Sequence, residues 1–513
     1  MTAGARWAGL ATFLALWQVL ALAGGGWLLA GPAGVLAWLW ANPGLTGRAV
    51  AVTLANAAWG FALGNGSAIC LAVIAALWPR ALNLVAGLAL AVFCLPLIAT
   101  GPILRVTMGP GEGPQIVLAA LAVYYTTLIP LLAGLRAMPS AWLDLVQSYG
   151  QGRWAELVHV RARASLPYLV AGLRISAPAA ILGAMVGEFT GAERGLGVLT
   201  IRFTRDLDVD ALWAIAAVAA GLSIIAYAAI GWAGRKALPD PPPVILVPPR
   251  LIRGSPARKA AEAVLLALVI LSLWWAGAEA LGLNPFFVKR PPDVAAALLW
   301  AQDAAATRAT LGTALAQTLA LAVPGYAAGL ALGAGLAVLL ALRPGLSALM
   351  TPLAVSLRSI PIVTTAPLIV LLLGRGATGT VSLVALMVFF PTFVACQQGL
   401  RQAPGPILDL FRSYGAGPMR QMLHARVPAM LPALFASARM GVPAAILAAT
   451  VIEWLATGRG LGNLMALSAS VSDYDMLWLT MVAVTLMSGL LYAGTAWAEG
   501  RVLAVLAPEQ VRA

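Results

Sequence analysis

The residues able to do chemistry in this chain are few, and most come in pairs. The only two histidines, His159 and His424, stand 265 residues apart, the first near Arg161 and Arg163 and the second near Arg426. Acid–base or metal chemistry requires a carboxylate or further ligands in defined geometry. No acidic residue is matched beside both histidines, so they read as structural or partner-contact groups rather than a catalytic pair. Arg174 and Arg439 repeat at the same spacing inside apolar stretches, where they either snorkel to headgroups or form an ion pair near an inner gate. Glu188 and Glu453 also repeat and precede the matched Arg194-Gly195-Leu196-Gly197 and Arg459-Gly460-Leu461-Gly462; a structural cap or gate suits them better than substrate contact. Arg358 breaks the pattern because Phe93 stands at its matched position. A lone cation roughly 12 Å along an apolar helix suits an anionic solute, with Thr100, Thr364 and Thr365 as neutral donors, or else it snorkels. Thr side chains in apolar helices also bond their own backbone.

The elements that must position these groups are transmembrane helices. The chain has 513 residues, of which 61% are hydrophobic and only 10% charged. A mean hydropathy of +0.90 agrees. Apolar runs of about 20 residues recur throughout, with no polar block large enough for a soluble domain. Cys70, Cys94 and Cys396 lie apart within apolar stretches and form neither a disulfide framework nor a metal site. The net charge of +13 is explained by membrane topology rather than by nucleic acid.

The spacing of 265 applies to nearly the whole chain. Ser148-Tyr149-Gly150 falls on Ser413-Tyr414-Gly415, and Leu166-Pro167 on Leu431-Pro432; close to half of positions 148–197 are identical without a gap. Such internal duplication governs every other assignment. It divides the chain into a first domain at 1–235, a Pro-rich basic linker at 236–259 and a second domain at 260–513. Each domain predicts six helices, near 8–31, 50–78, 83–105, 115–137, 167–190 and 211–234, then 261–282, 313–342, 347–373, 377–400, 430–455 and 476–498. With a cytoplasmic N-terminus, 19 of the 32 Lys and Arg fall inside and 10 outside, the rest lying within helices. Both termini are therefore expected in the cytoplasm, with the repeats parallel about an axis along the membrane normal.

The longest matched loops, 138–166 and 403–431, are cytoplasmic and basic. Ser140 can cap a short amphipathic helix there and Gly150 can end it. Such helices suit a partner's groove. At these residues the chain resembles the permease subunits of binding-protein-dependent ABC importers. Their signature of an acidic residue, two small residues, three variable ones, a glycine and a later Leu-Pro is met by Asp144 and Gly150, and by Asp409 and Gly415. Leu145-Val146 and Leu410-Phe411 replace the small pair, which implies a groove shaped for larger side chains. The stretch Leu357-Arg358-Ser359-Ile360-Pro361 through Pro367-Leu368 to Gly374 and Gly376, with Glu453 and its Gly-Leu-Gly, is similar to the nitrate, sulfonate and taurine branch.

The resemblance implies an all-α integral membrane protein of type I ABC importer permease fold, two parallel six-helix repeats fused in one chain, in the cell inner membrane. It implies ATPase docking through Asp144, Ser148, Tyr149, Gly150, His159 and Arg161, and through Asp409, Ser413, Tyr414, Gly415, His424 and Arg426. It also implies two copies of a cytoplasmic ABC ATPase and an extracytoplasmic solute-binding protein. The three lysines, Lys236, Lys259 and Lys289, follow Arg, Arg and Val, so no phosphate-binding G-x-x-x-x-G-K loop exists and ATP with its Mg belongs to the partners. The alternative is a secondary carrier of major-facilitator-like architecture, which shares the parallel twelve-helix plan but leaves the matched loops unexplained. An intramembrane enzyme lacks both H-E-x-x-H and G-x-S-x-G.

Overall fold

The computed structural model describes residues 14–15, 17–23, 29–138, 140–238, 256–343, 345 and 362–506. Arg358, half of 8–31, part of 347–373 and the core of the linker lie outside them. Among the described residues the chain is all-helical, with nine helices long and apolar enough to cross a membrane and one sharply bent pair.

The first half runs α1 (Pro32–Ala41), α2 (Pro43–Leu77), α3 (Leu82–Phe93), α4 (Leu97–Met108), α5 (Gly113–Gly134), α6 (Ser140–Ser148), α7 (Arg153–Phe189), α8 (Leu196–Asp206) and α9 (Val209–Ala237). The second runs α10 (Pro256–Ala280), α11 (Pro291–Leu299), α12 (Ala304–Leu342), α13 (Ile362–Leu373), α14 (Ala377–Arg401), α15 (Gly405–Ser413), α16 (Pro418–Thr457), α17 (Gly460–Ser470) and α18 (Tyr474–Leu506).

Two expectations from sequence need correction. The helix expected at 83–105 is two pieces, α3 and α4, bent by 88°. Pro96 supplies no backbone N–H and holds Leu95 out of the helical region, so the chain turns at Cys94–Pro96. The helices expected to begin at 167 and 430 begin at Arg153 and Pro418 instead, because the loops after Gly152 and Gly417 are already helical and pass through π-turns at Leu157–Arg161 and Met422–Arg426. Pro167 and Pro178 sit within that helix, as Pro432 and Pro443 do in α16.

Small residues let the bundle close. A Cβ on Gly60 would lie 2.2 Å from Ala119 Cβ, and one on Gly64 would lie 2.6 Å from Ala120 O. The four-residue spacing places both glycines on one face of α2 against α5, the small-residue packing that membranes favour. Gly325 and Gly329 repeat this between α12 and α14.

The halves interlock reciprocally. The bent piece α4 packs on α16, α17 and α18 of the second half, while its counterpart α13 packs on α7, α8 and α9 of the first. Ala99 and Ile103 thereby join Ile446, Leu461 and Leu477 in one buried cluster, and Ala366 and Leu368 join Leu199, Leu212 and Ile215 in another. A polar contact adds to this crossing where Asn83 Nδ2 donates to Glu262 Oε2 at 3.0 Å.

Within each half, Glu188 and Glu453 close a buried polar knot. Thr53 Oγ1 donates to Glu188 Oε1 at 2.7 Å and accepts from Leu196 N at 2.9 Å, while Gly197 N donates to Glu188 Oε2 at 2.7 Å. The second half reproduces it: Thr318 Oγ1 to Glu453 Oε2, Leu461 N to Thr318 Oγ1 and Gly462 N to Glu453 Oε2, each 2.9 Å. These bonds satisfy N–H groups at the starts of α8 and α17, which have no partner within their own helix. Gly195 and Gly460 have φ of 133° and 86°, and a Cβ on either would strike the glutamate carboxyl. The matched glycines therefore follow from the chain passing over a carboxyl group.

Thr318→Val keeps the shape but strands the Leu461 N–H and removes one of the two donors to Glu453 Oε2, leaving Gly462 N. It is expected to cost about 1–3 kcal/mol, read as an earlier thermal unfolding of the detergent-purified chain; a parental midpoint would show the knot contributes nothing.

Candidate functional site

The loops at 138–166 and 403–431 form two elbows. Helices α6 and α15 each end at a left-handed glycine, Gly150 with φ of 71° and Gly415 with φ of 67°. Their amides bond back to Gln147 O at 2.8 Å and Arg412 O at 2.9 Å. Ser148 and Ser413 turn their hydroxyls onto Leu145 O and Leu410 O, which also keeps them on the elbow's own backbone. Asp144 and Asp409 are exposed, and Asp409 pairs with Arg412 at 3.0 Å.

From 142 to 158 and from 407 to 423 the exposed apolar side chains of the elbows obey the repeat position by position. Trp142 and Ile407, Leu145 and Leu410, Tyr149 and Tyr414, Trp154 and Met419, and Val158 and Leu423 are all exposed, with Tyr149 at 77% and Tyr414 at 83%. Apolar area held in this way at two matched places marks an interaction face.

His159 Nδ1 lies 3.0 Å from Ala155 O and His424 Nδ1 lies 3.1 Å from Arg420 O, so both rings are pinned to the preceding turn of their own helix. Among the described residues no group of His, Cys, Asp and Glu is placed to hold a metal ion. Arg161 reaches Glu156 at 3.2 Å, whereas Arg426 is half-buried beside the second π-turn, Met422–Arg426. Glu156 was missed in sequence because its matched position holds Gln421, and a search for identities passes over it.

Arg174 and Arg439 find different partners within their own halves. The Arg174 guanidinium lies over the Tyr227 ring at 4.3 Å, and Arg439 Nη1 pairs with Glu499 Oε2 at 3.1 Å. Neither is therefore paired across the interface by these contacts. Glu499 has no acidic counterpart in the first half, where Gly234 occupies the matched position. Besides the Asn83–Glu262 bond, the Tyr125 and Tyr492 hydroxyls pair across the halves, and Phe93 stacks on Tyr125 at 4.1 Å. Tyr125 matches Phe390 in the repeat, so this crossing bond has no symmetric partner.

Of the residues expected along a solute path, Thr100 lies on α4 with its hydroxyl bonded to Pro96 O at 3.0 Å. Thr364 is buried on α13 and Thr365 half-buried. The structure thus sets the threonines on the two helices that cross between halves. At the end of α16 opposite the elbow, a groove of about 490 Å³ opens beside Thr310, Thr313, Gln317, Arg459 and Asn463. Nothing in the sequence singled it out.

Comparison with known proteins agrees with this architecture. The family described as binding-protein-dependent transport system inner membrane component matches twice, at residues 68–238 and 329–502. A probable ABC transporter permease protein of Haemophilus influenzae is 30% identical over 45% of this chain and 93% of its own length. A formylaminopyrimidine transport permease protein of Halalkalibacterium halodurans is 28% identical over 40% of this chain and 79% of its own. A taurine transport system permease protein of Escherichia coli is 24% identical over 44% and 82%. Each relative spans less than half of this chain yet is itself mostly covered, as expected when two such proteins are joined in one. The chain belongs to the binding-protein-dependent ABC permease family and carries the family's domain twice, as a fused multi-pass membrane permease.

Proposed function

We propose that this chain is the complete translocation pathway of an ATP-driven importer, moving a small polar or anionic solute into the cytoplasm by alternating access. The observation that carries the reading is the matched set of exposed apolar side chains on the two elbows. Two identical partners require two matched seats, and the repeat supplies them at Trp142 to Val158 and Ile407 to Leu423. The partners are two copies of a cytoplasmic ABC ATPase that bind ATP and Mg, while an extracytoplasmic binding protein delivers solute to the opposite face. Both termini are then cytoplasmic, and the domains divide near 235 and 260. Asp144, Ser148, Tyr149, Gly150, His159 and Arg161, with Asp409, Ser413, Tyr414, Gly415, His424 and Arg426, belong to the seats. A carrier driven by an ion gradient would have no use for two such seats.

Solute passes between the halves, where α4 and α13 cross. Thr100, Thr364 and Thr365 sit on those helices, and Arg358 supplies a cation where the first half has Phe93. Formylaminopyrimidine and taurine, the solutes in the relatives' names, are small and polar, which suits a pathway with sparse donors and one charge.

Two measurements test this. Gly150→Val and Gly415→Val place a β-branched residue at positive φ, costing about 1–3 kcal/mol of local strain. Together they are expected to abolish co-purification of the ATPase while the chain stays folded in the membrane; intact co-purification would refute docking at the elbows. Arg358→Ala is expected to raise the KM for an anionic solute about tenfold, the loss of roughly 1.4 kcal/mol of binding. Parental kinetics would remove Arg358 from the path.

A further inference from the structure

The two elbows share a helix, a glycine turn and an apolar face, yet they are fastened to the bundle differently. In the first, Gln147 Nε2 on α6 donates to Glu156 Oε1 at 2.9 Å, and Arg161 Nη2 reaches Glu156 Oε2 at 3.2 Å. Glu156 is only 4% exposed and sits at the start of α7. A carboxyl group with little water therefore bonds the elbow helix to the long membrane helix, and hydrogen bonds of this kind are stronger than those made in solvent.

The second elbow has the same backbone and different fastenings. Arg412 stands at the position of Gln147 and Gln421 at that of Glu156, while Arg426 still matches Arg161. Arg412 turns outward to Asp409 in a pair whose side chains are both largely exposed. Such surface pairs contribute little. Gln421 Nε2 donates to Ala416 O at 2.9 Å, on the turn after α15 rather than on its side chains.

We infer that Glu156 is a positioning residue that makes the first elbow a stiff arm and leaves the second compliant, so that two bound ATPases drive the two halves unequally. This rests on the elbows being the ATPase seats. The repeat offers a direct test, because two substitutions exchange the fastenings. Arg412→Gln with Gln421→Glu completes the Gln, Glu and Arg set around the existing Arg426. Gln147→Ala removes the bond from the exposed side of the first elbow without touching buried Glu156.

Amide hydrogen exchange is measured on the full-length purified chain at residues 140–151 and 405–416. In the parent the first elbow is expected to exchange roughly tenfold more slowly than the second, the effect of one charged buried hydrogen bond. Gln147→Ala should bring the two together, and Arg412→Gln with Gln421→Glu should slow the second to match the first. In the complex reconstituted with its ATPase and binding protein, Gln147→Ala should retain ATPase on the permease yet move severalfold less solute per ATP hydrolysed. Equal exchange of both elbows in the parent overturns the inference and leaves the seat reading intact. Unchanged transport per ATP in Gln147→Ala overturns the unequal drive. A parent complex whose ATPase does not contact either elbow overturns the seat reading itself.

Discussion

Within a bilayer no water waits to receive a backbone N–H, so every place where a helix stops or breaks must find a protein partner. The structure answers this constraint at its most demanding points. Helices α8 and α17 begin against their own half rather than in open solvent, and amides of their first turns go to Glu188 with Thr53 and to Glu453 with Thr318 and Gln317. The glutamates are 1% and 2% exposed. Buried carboxyl groups are costly unless fully bonded, and here the cost is met by donors that would otherwise be stranded. The positive φ of Gly195 and Gly460 follows, because any side chain there would occupy the carboxyl site.

Duplication fixes some contacts twice and releases others. The knot, the glycine turns of the elbows, the histidine-to-backbone bonds and the apolar elbow face are all present in both halves. The fastening of the elbows, the arginine partners and the tyrosine pair are not. Arg174 stacks on Tyr227, whereas Arg439 has both the matched Tyr492 nearby and an extra acid, Glu499. Two separate identical subunits could not differ in this way. A fused chain can, since each copy of a position mutates independently.

The duplication was legible in sequence because identities such as Ser148-Tyr149-Gly150 and Arg194-Gly195-Leu196-Gly197 survive in both copies. The long helices were legible from apolar length, and the membrane setting from composition. What stayed hidden was whatever depends on direction in space. Thr53 and Thr318 are ordinary threonines in apolar helices until a glutamate 135 residues later meets them. The bend at Cys94–Pro96 hid because an apolar run reads the same whether it crosses a membrane or turns within it. Glu156 hid because the repeat replaced it by Gln421, so the property that matters was the difference rather than the identity.

The same geometry bears on how motion would travel from an elbow to the far side. Helix α7 runs without a break from Arg153 beside the elbow to Phe189 beside the knot, roughly 55 Å at 1.5 Å per residue. It is not uniformly rigid. Its π-turn at Leu157–Arg161 carries an extra residue next to the elbow, and Pro178 withholds the hydrogen bond that the Arg174 carbonyl would otherwise accept. In α16 the π-turn at Met422–Arg426 and Pro443 opposite Arg439 repeat the arrangement. The natural flexing point of each helix therefore coincides with its half-buried arginine. Tyr227 and Glu499 hold those arginines to α9 and α18, so bending at the prolines must carry the last helix of each half along with it.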